Sequence, residues 1–163
     1  MSQHAPWWKG TRGEWYVVVQ AILFVFIGIG PRTLPGVAAW GPQYAVVGTW
    51  LGLAMMIAGA GLSVAGVLRL GGNLTALPYP KDDSVLVDTG PYAIVRHPIY
   101  SGLVIGAFGW GLWLNSWLTL GFAFGLFVLF DLKLRREERW LRQRYPEYAA
   151  YQKRVKKLLP WVW

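Results

Sequence analysis

The chain has 163 residues, which bounds it to one compact domain, and it is 55% hydrophobic with a mean hydropathy of +0.34, too apolar for an ordinary soluble domain of this size. It has no Cys, which excludes a disulfide framework, thiolate metal sites and a cysteine nucleophile, and its two His cannot by themselves build a zinc site. The net charge of +8 would suit a nucleic-acid binder, yet ten of the sixteen Lys and Arg follow residue 132, and residues 15–31, 33–68 and 97–130 carry no charge with His neutral. A basic cluster beside long apolar runs reads as a cytoplasmic flank facing anionic lipid, and no soluble recognition fold remains to carry nucleic acid.

The first apolar element runs from Trp15 to about Gly30 and stops at Pro31. Lys9, Arg12 and the small-residue run Val37-Ala38-Ala39 give it the outline of a signal peptide, but we read it as a membrane helix. The second runs from Tyr44 to Leu68, an uncharged stretch of 25 residues that spans a bilayer with some tilt. Gly48, Gly52, Ala58, Gly59, Gly61, Ala65 and Gly66 recur along it, a spacing that lets a neighbouring backbone approach closely. The same residues are equally what the general abundance of Gly in membrane helices would give. The apolar stretch from Ile99 to Phe130 is too long for one span, and Asn115-Ser116 near its middle suits a turn better than hydrocarbon. The spacing therefore predicts a helical hairpin with arms at 99–114 and 117–134, each short at roughly 24–27 Å.

Between the second and third elements lies a polar connection, 69–98. It carries Pro78, Tyr79 and Pro80, then Asp82, Asp83 and Asp88, a short extended apolar run Val85-Leu86-Val87 and a turn at Gly90-Pro91. Pro98 suits the first turn of the third helix and holds His97 extended in front of it, so His97 and Tyr100 sit at a helix N-terminus, where free N–H groups favour an anion. Beyond the hairpin, Leu134, Glu138, Leu141 and Tyr145 share one helical stripe. A carboxylate on that inward face requires a partner, and a salt bridge from Glu137 or Glu138 to a nearby Arg is the simplest one. Residues 147–160 read as an amphipathic helix lying on the membrane surface, ending in interfacial Trp161 and Trp163.

Four helices place both termini and the 69–98 connection on one side, with fifteen Lys and Arg against one, Arg32, on the other. The positive-inside rule then makes both termini cytoplasmic and leaves the Asn73-Leu74-Thr75 sequon unglycosylated. The fold class expected is an all-α integral membrane protein with four hydrophobic helices plus C-terminal amphipathic helices. Residues 1–70 form its N-terminal half, with two transmembrane helices. Residues 71–163 form a cytoplasm-facing catalytic region of the same compact domain.

Gly90-Pro91-Tyr92, then Val95-Arg96-His97-Pro98, Tyr100 and Gly102, then Glu137-Glu138, and then Tyr148, Tyr151, Arg154-Val155 and Pro160 resemble the isoprenylcysteine carboxyl methyltransferase and phospholipid methyltransferase superfamily. The ordered elements cover roughly residues 71–160. The resemblance implies an integral membrane enzyme that uses S-adenosylmethionine, releases S-adenosylhomocysteine and methylates a lipophilic acceptor. It also implies no metal and none of the soluble dinucleotide-type fold. It implies that Val85, Leu86, Val87, Tyr92, His97 and Tyr100 contact the cofactor, together with the acidic pair Glu137 and Glu138. Lys133 and Arg136 match the acceptor side, with Arg96 a further candidate there or a partner for Asp88 or a lipid phosphate. Two departures from the family pattern stand out: Ser84 where a histidine is usual, and Lys133 where an arginine is usual, so that a bidentate clamp is absent.

Taken singly, His97 would also serve as a helix-capping residue, and Tyr92 and Tyr100 as interfacial aromatics. An acceptor carboxylate or thiolate needs no base, whereas an amine would need its proton removed, by His97 or a carboxylate. The acceptor therefore stays open between a prenylated cysteine carboxylate, a phospholipid amine and a small thiol. A helical membrane protein that binds a lipid or partner without catalysis is the reading from another class. The oligomeric state is not legible in the sequence.

Overall fold

The computed structural model describes residues 13–77 and 84–159, and all its regular structure is helical. The expectations placed on Lys9, Arg12, Pro78, Tyr79, Pro80, Asp82, Asp83, Pro160, Trp161 and Trp163 fall outside those residues. The elements are α1 (Glu14–Ile29), α2 (Pro42–Leu70), α3 (Pro98–Trp113), α4 (Trp117–Arg144) and α5 (Tyr148–Arg154), with single 3₁₀ turns at Gly71–Asn73 and Gly90–Ala93.

Local chemistry sets the ends. Pro42 and Pro98 occupy the first turns of α2 and α3, where a missing N–H costs nothing. The expected hairpin turn forms, with Asn115 at φ 52° and Ser116 capping α4 by accepting from the Thr119 N–H at 3.1 Å. At the end of α1, Arg32 donates to the carbonyls of Ile27 (2.8 Å) and Gly28, satisfying acceptors that the helix itself leaves open.

α2 and α3 pack backbone to backbone. The buried residues of α2 are all glycines: Gly48, Gly52, Gly59 and Gly66. A Cβ at Gly52 would meet the Gly109 carbonyl and the Trp113 N–H, one at Gly59 the Gly102 carbonyl, and one at Gly102 the Gly59 carbonyl and Ser63. The close-approach reading of these glycines is therefore correct for Gly48, Gly52, Gly59 and Gly66, whereas Gly61 faces open space. The large side chains of α2 point the other way, with Trp50 69%, Ile57 66% and Leu68 76% exposed. Glycine inside and Trp, Ile and Leu outside reverses the pattern of a water-facing helix and fits a lipid surround.

α2 with its 3₁₀ turn (Pro42–Asn73) and α4 are long and apolar enough to cross a bilayer; α1 is apolar but shorter. Four separate spans are thus not established: α1 and α3, at 16 residues each, reach only roughly 24 Å, short of a hydrocarbon core of about 30 Å. α4 also differs from the expected 117–134. It runs unbroken for 28 residues because its polar groups find partners, Asp131 with Lys157 and Arg135 (both 2.7 Å) and Lys133 with Gln20 and Ala76.

Two apolar clusters fill the interior. Ile27, Val104, Ala107, Ala123, Leu126 and Phe130 join α1, α3 and α4. Tyr148, Tyr151 and Val155 form the second, packed on Leu86, Leu141 and Tyr145. The expected surface helix 147–160 is consequently shorter and differently placed. It stops at Arg154, and its apolar side turns into the protein. From Val155 the chain runs as a strap beside Val95, where the Arg96 and His97 N–H groups donate to the Lys156 and Lys157 carbonyls at 2.8 and 3.2 Å, and Ser101 Oγ donates to the Leu158 carbonyl at 2.7 Å.

Candidate active site

At the end of the bundle away from the hairpin turn lies a cavity of about 320 Å³, within the range of small-molecule sites. Its wall combines the end of α2 through Leu77, the run 84–87, the His97–Leu103 start of α3, Lys133 to Tyr145 on α4, and Tyr148 and Tyr151 on α5. Segments far apart in sequence meet here because α3 and α4 run antiparallel from the Asn115 turn, and the strap returns past His97.

His97 is the centre of the polar network. Its ring lies between two carboxylates, with Nε2 3.1 Å from Glu138 Oε1 and Nδ1 3.8 Å from Glu137 Oε1. Glu138 is buried and fully engaged: it accepts from Arg96 Nε at 2.8 Å and from Gln152 Nε2 at 2.9 Å as well. Arg96 Nη1 donates to the Gln152 carbonyl (3.2 Å) and to the Val155 carbonyl. The expected acid–Arg salt bridge is therefore Glu138 to Arg96, while Asp88 pairs instead with Arg154 at 3.1 Å.

Glu137 differs from its neighbour. Its Oε2 is buried without a hydrogen-bond partner among the described residues, and the residue lines the cavity. The Tyr148 hydroxyl is the second such group on this wall. Burial, reinforced by the Glu138 charge, pushes the Tyr148 phenol far above its ordinary range, so it remains a protonated donor. Burial, then the Glu137 charge, raises the Tyr92 phenol likewise.

The predicted site residues separate into two groups. Val85, Leu86, Val87, Tyr92, Arg96, His97, Tyr100, Lys133 and Glu137 all line the cavity. Glu138 stands behind His97 and Arg136 lies beside the Trp140 ring at 4.9 Å; neither is on the cavity wall. Val85 to Val87 have no helical structure, as expected of an extended run, and Asn73 holds them, its Nδ2 donating to the Val85 carbonyl at 3.0 Å. Ser84 is engaged by the Tyr145 hydroxyl at 2.7 Å. The sequence reading missed Gln20, Asn73, Tyr145, Tyr148 and Tyr151 as wall residues. Tyr145 carried a signal as part of the inward stripe with Glu138, and Tyr148 and Tyr151 as part of the ordered motif, although periodicity placed those two on the membrane surface; Gln20 and Asn73 carried none.

An S-adenosyl cofactor needs a partner for its amino group and ribose hydroxyls, and apolar or aromatic walls for the adenine. The unpartnered Glu137 oxygen and Tyr148 hydroxyl, set among Leu86, Tyr92 and Leu141, fit that requirement. A second, apolar groove, lined by Phe24, Met56, Gly59, Gly106 and Trp110 among others, opens between α1, α2 and α3, and Leu103 belongs to both walls.

Glycine-packed helices with outward apolar side chains, and at one end a mostly apolar cavity that carries a few polar groups, define a helical membrane protein with a small-molecule site. The sequence profile of the phospholipid methyltransferase family matches residues 47–148, and the chain belongs to that family. It is 30% identical over 150 residues to the cobalt-zinc-cadmium resistance protein CzcN of Cupriavidus metallidurans, covering 91% of this chain and 62% of that one. It is 32% identical over 118 residues to a probable protein-S-isoprenylcysteine O-methyltransferase of Oryza sativa subsp. japonica, covering 70% of this chain and 62% of that one. The chain thus spans somewhat under two thirds of the length of these relatives. The structure of the eukaryotic intramembrane Ras methyltransferase ICMT (isoprenylcysteine carboxyl methyltransferase) superposes with a TM-score of 0.63 at 23% identity, covering 91% of this chain and 63% of that one, which is a likeness of fold.

Proposed function

We propose that this chain transfers a methyl group from S-adenosylmethionine to a lipophilic acceptor at the membrane, in the manner of the isoprenylcysteine carboxyl methyltransferases. The observation that carries the reading is the buried, unpartnered Glu137 oxygen on the cavity wall beside His97. When bound, the cofactor supplies an electrophilic methyl on a sulfonium sulfur. Glu137 accepts hydrogen bonds from its amino group or ribose hydroxyls, and the Tyr148 hydroxyl offers a further polar contact. His97 contacts the ligand on its cavity side, while Glu138, held by Arg96 and Gln152, fixes the imidazole from behind. Val85, Leu86, Val87, Tyr92 and Tyr100 complete the wall and exclude water, so alignment does the catalytic work.

The apolar groove meeting the cavity at Leu103 suits the hydrocarbon part of the acceptor, which enters from lipid. Lys133 and Arg96 stand on the cavity wall for the acceptor's polar end, with Arg136 as a more remote charge. In this reading both termini are cytoplasmic, and the cofactor enters from that side. A phospholipid amine or a small thiol is the alternative acceptor, and a panel of acceptors with product analysis separates these.

The test of cofactor binding is calorimetry with S-adenosylhomocysteine on detergent-purified protein. Micromolar binding is expected, weakened at least about tenfold by His97→Ala and by Glu137→Gln with the melting temperature retained. No binding by folded wild-type protein would refute the methyltransferase reading and favour a non-catalytic lipid-binding or partner-binding role.

A further inference from the structure

The consecutive carbonyls of the C-terminal strap from Val155 to Leu158 all accept hydrogen bonds from the segment that opens α3. Arg96 Nη1 donates to Val155, the Arg96 N–H to Lys156 at 2.8 Å, the His97 N–H to Lys157 at 3.2 Å and Ser101 Oγ to Leu158 at 2.7 Å. The strap thus holds the main chain of His97. The side chain of Lys157, a residue beyond the family-matched stretch 47–148, ties the strap to α4: its Nζ lies 2.7 Å from Asp131 Oδ1. The two side chains are 13% and 11% exposed, so the pair is largely withdrawn from water, unlike the solvated surface pairs that contribute little.

Asp131 precedes Glu138 by two helical turns, about 10 Å along the same side of α4, and so extends the inward stripe of Leu134, Glu138 and Leu141. That side carries two carboxylates, each paired with a cation from the facing segments: Glu138 with Arg96 at 2.8 Å and Asp131 with Lys157. Glu138 holds His97 by its ring, with Oε1 3.1 Å from Nε2, and Asp131 holds it by its main chain, through Lys157. A single contact would leave the imidazole free to pivot; two contacts about 10 Å apart on one rigid helix fix its direction. The ring's other nitrogen, Nδ1, then stands 3.8 Å from Glu137 Oε1 on the cavity wall. Arg135 also bonds Asp131 at 2.7 Å, but it is 59% exposed and belongs to the same helix, so it adds no tie to the strap.

We propose that Asp131 and Lys157 are positioning residues for His97. Their ion pair sets where the strap lies on α4, and the strap carries the His97 main chain, so the imidazole meets the cavity in one orientation beside Glu137. Neither residue lines the cavity, so both act through His97 and not on a ligand. The consequence for cofactor binding rests on the methyl-transfer reading; the fixing of the imidazole does not.

The experiment uses the full chain in detergent. The sequence has two His, His4 and His97, so isotope-labelled histidine in a His4→Gln background reports the His97 ring alone by NMR. Asp131→Leu/Lys157→Met removes both charges together and strands neither, so the melting temperature should stay within a few degrees of wild type. The His97 ring signals should nonetheless shift and broaden, and S-adenosylhomocysteine should bind at least about fivefold more weakly in calorimetry. Lys157→Arg, which keeps a cation for Asp131, should retain most of the wild-type signal and affinity. A role in stability alone predicts that the apolar double variant melts, resonates and binds like wild type, and that result would overturn the proposal. Altered ring signals with unchanged affinity would overturn it too. Should the double variant not fold, Asp131→Asn, which keeps the shape and one acceptor oxygen, decides the same two readouts. Failure of folded wild-type protein to bind S-adenosylhomocysteine would mark the failure of the methyl-transfer reading, while the His97 signals would still judge the fixing of the ring.

Discussion

Replacing Glu138 by Ala removes the acceptor on which three side chains converge: Arg96 at 2.8 Å, His97 at 3.1 Å and Gln152 at 2.9 Å. The side chains of Arg96 and Glu138 are 9% and 7% exposed, so the guanidinium left behind cannot rehydrate without opening the protein. Its bonds to the Gln152 and Val155 carbonyls remain, but these neutral groups do not replace a carboxylate. Breaking a buried pair from one side costs about 3–5 kcal/mol, which for a chain of this size lowers the melting temperature by roughly 6–20 °C. Thermal unfolding of the detergent-purified protein without cofactor measures this directly. The double variant Arg96→Met/Glu138→Leu should recover a large part of the loss, because it leaves no charge uncompensated. A Glu138→Ala protein that melts within a degree or two of wild type would refute this account. Loss of S-adenosylhomocysteine binding at unchanged melting would then place Glu138 in direct contact with the cofactor.

Two further outcomes are expected. Tyr148→Phe removes a buried hydroxyl that has no hydrogen-bond partner among the described residues, so the melting temperature should hold or rise while S-adenosylhomocysteine binding weakens by about five- to tenfold; unchanged binding in calorimetry would show that the hydroxyl does not meet the ligand. The chain has no Cys, so Thr33→Cys in the α1–α2 connection and Lys153→Cys on α5 each provide one labelling site. A membrane-impermeant maleimide should label Thr33→Cys in intact cells and Lys153→Cys only after permeabilisation, and the opposite pattern would reverse the assigned orientation.

The sequence by itself determined the membrane character and the hairpin. Residues 97–130 carry no charge, and Asn115-Ser116 is a turn pair in the middle of them; hydrocarbon tolerates neither unpaired backbone nor a mid-span Asn-Ser, so a turn had to fall there. The ordered motif around Arg96-His97-Pro98 and Glu137-Glu138 marked most of the cavity wall. Glycine spacing on α2 carried a real but ambiguous signal, since frequent Gly and closely packed Gly look alike until the partner helix is known; Gly102 and Gly109 of α3 resolve it.

Only the tertiary structure decided the rest. Asp131 and Lys133 look like the end of an apolar helix, because a charge in a membrane segment is costly when unpaired. Their partners, Lys157 for the one and Gln20 with Ala76 for the other, come from distant parts of the chain, and with them α4 continues to Arg144. Periodicity showed that Tyr148, Tyr151 and Val155 share an apolar side, but a helical period is the same whether that side meets lipid or protein. The stripe through Leu134, Leu141 and Tyr145 marked Glu138 as inward, but no local pattern showed that Glu137 beside it faces a cavity. One residue of helix rotation turns Glu137 to the cavity with an open oxygen and Glu138 to Arg96, Gln152 and His97, and that division of labour exists only once α3, α4 and the C-terminal strap have packed together.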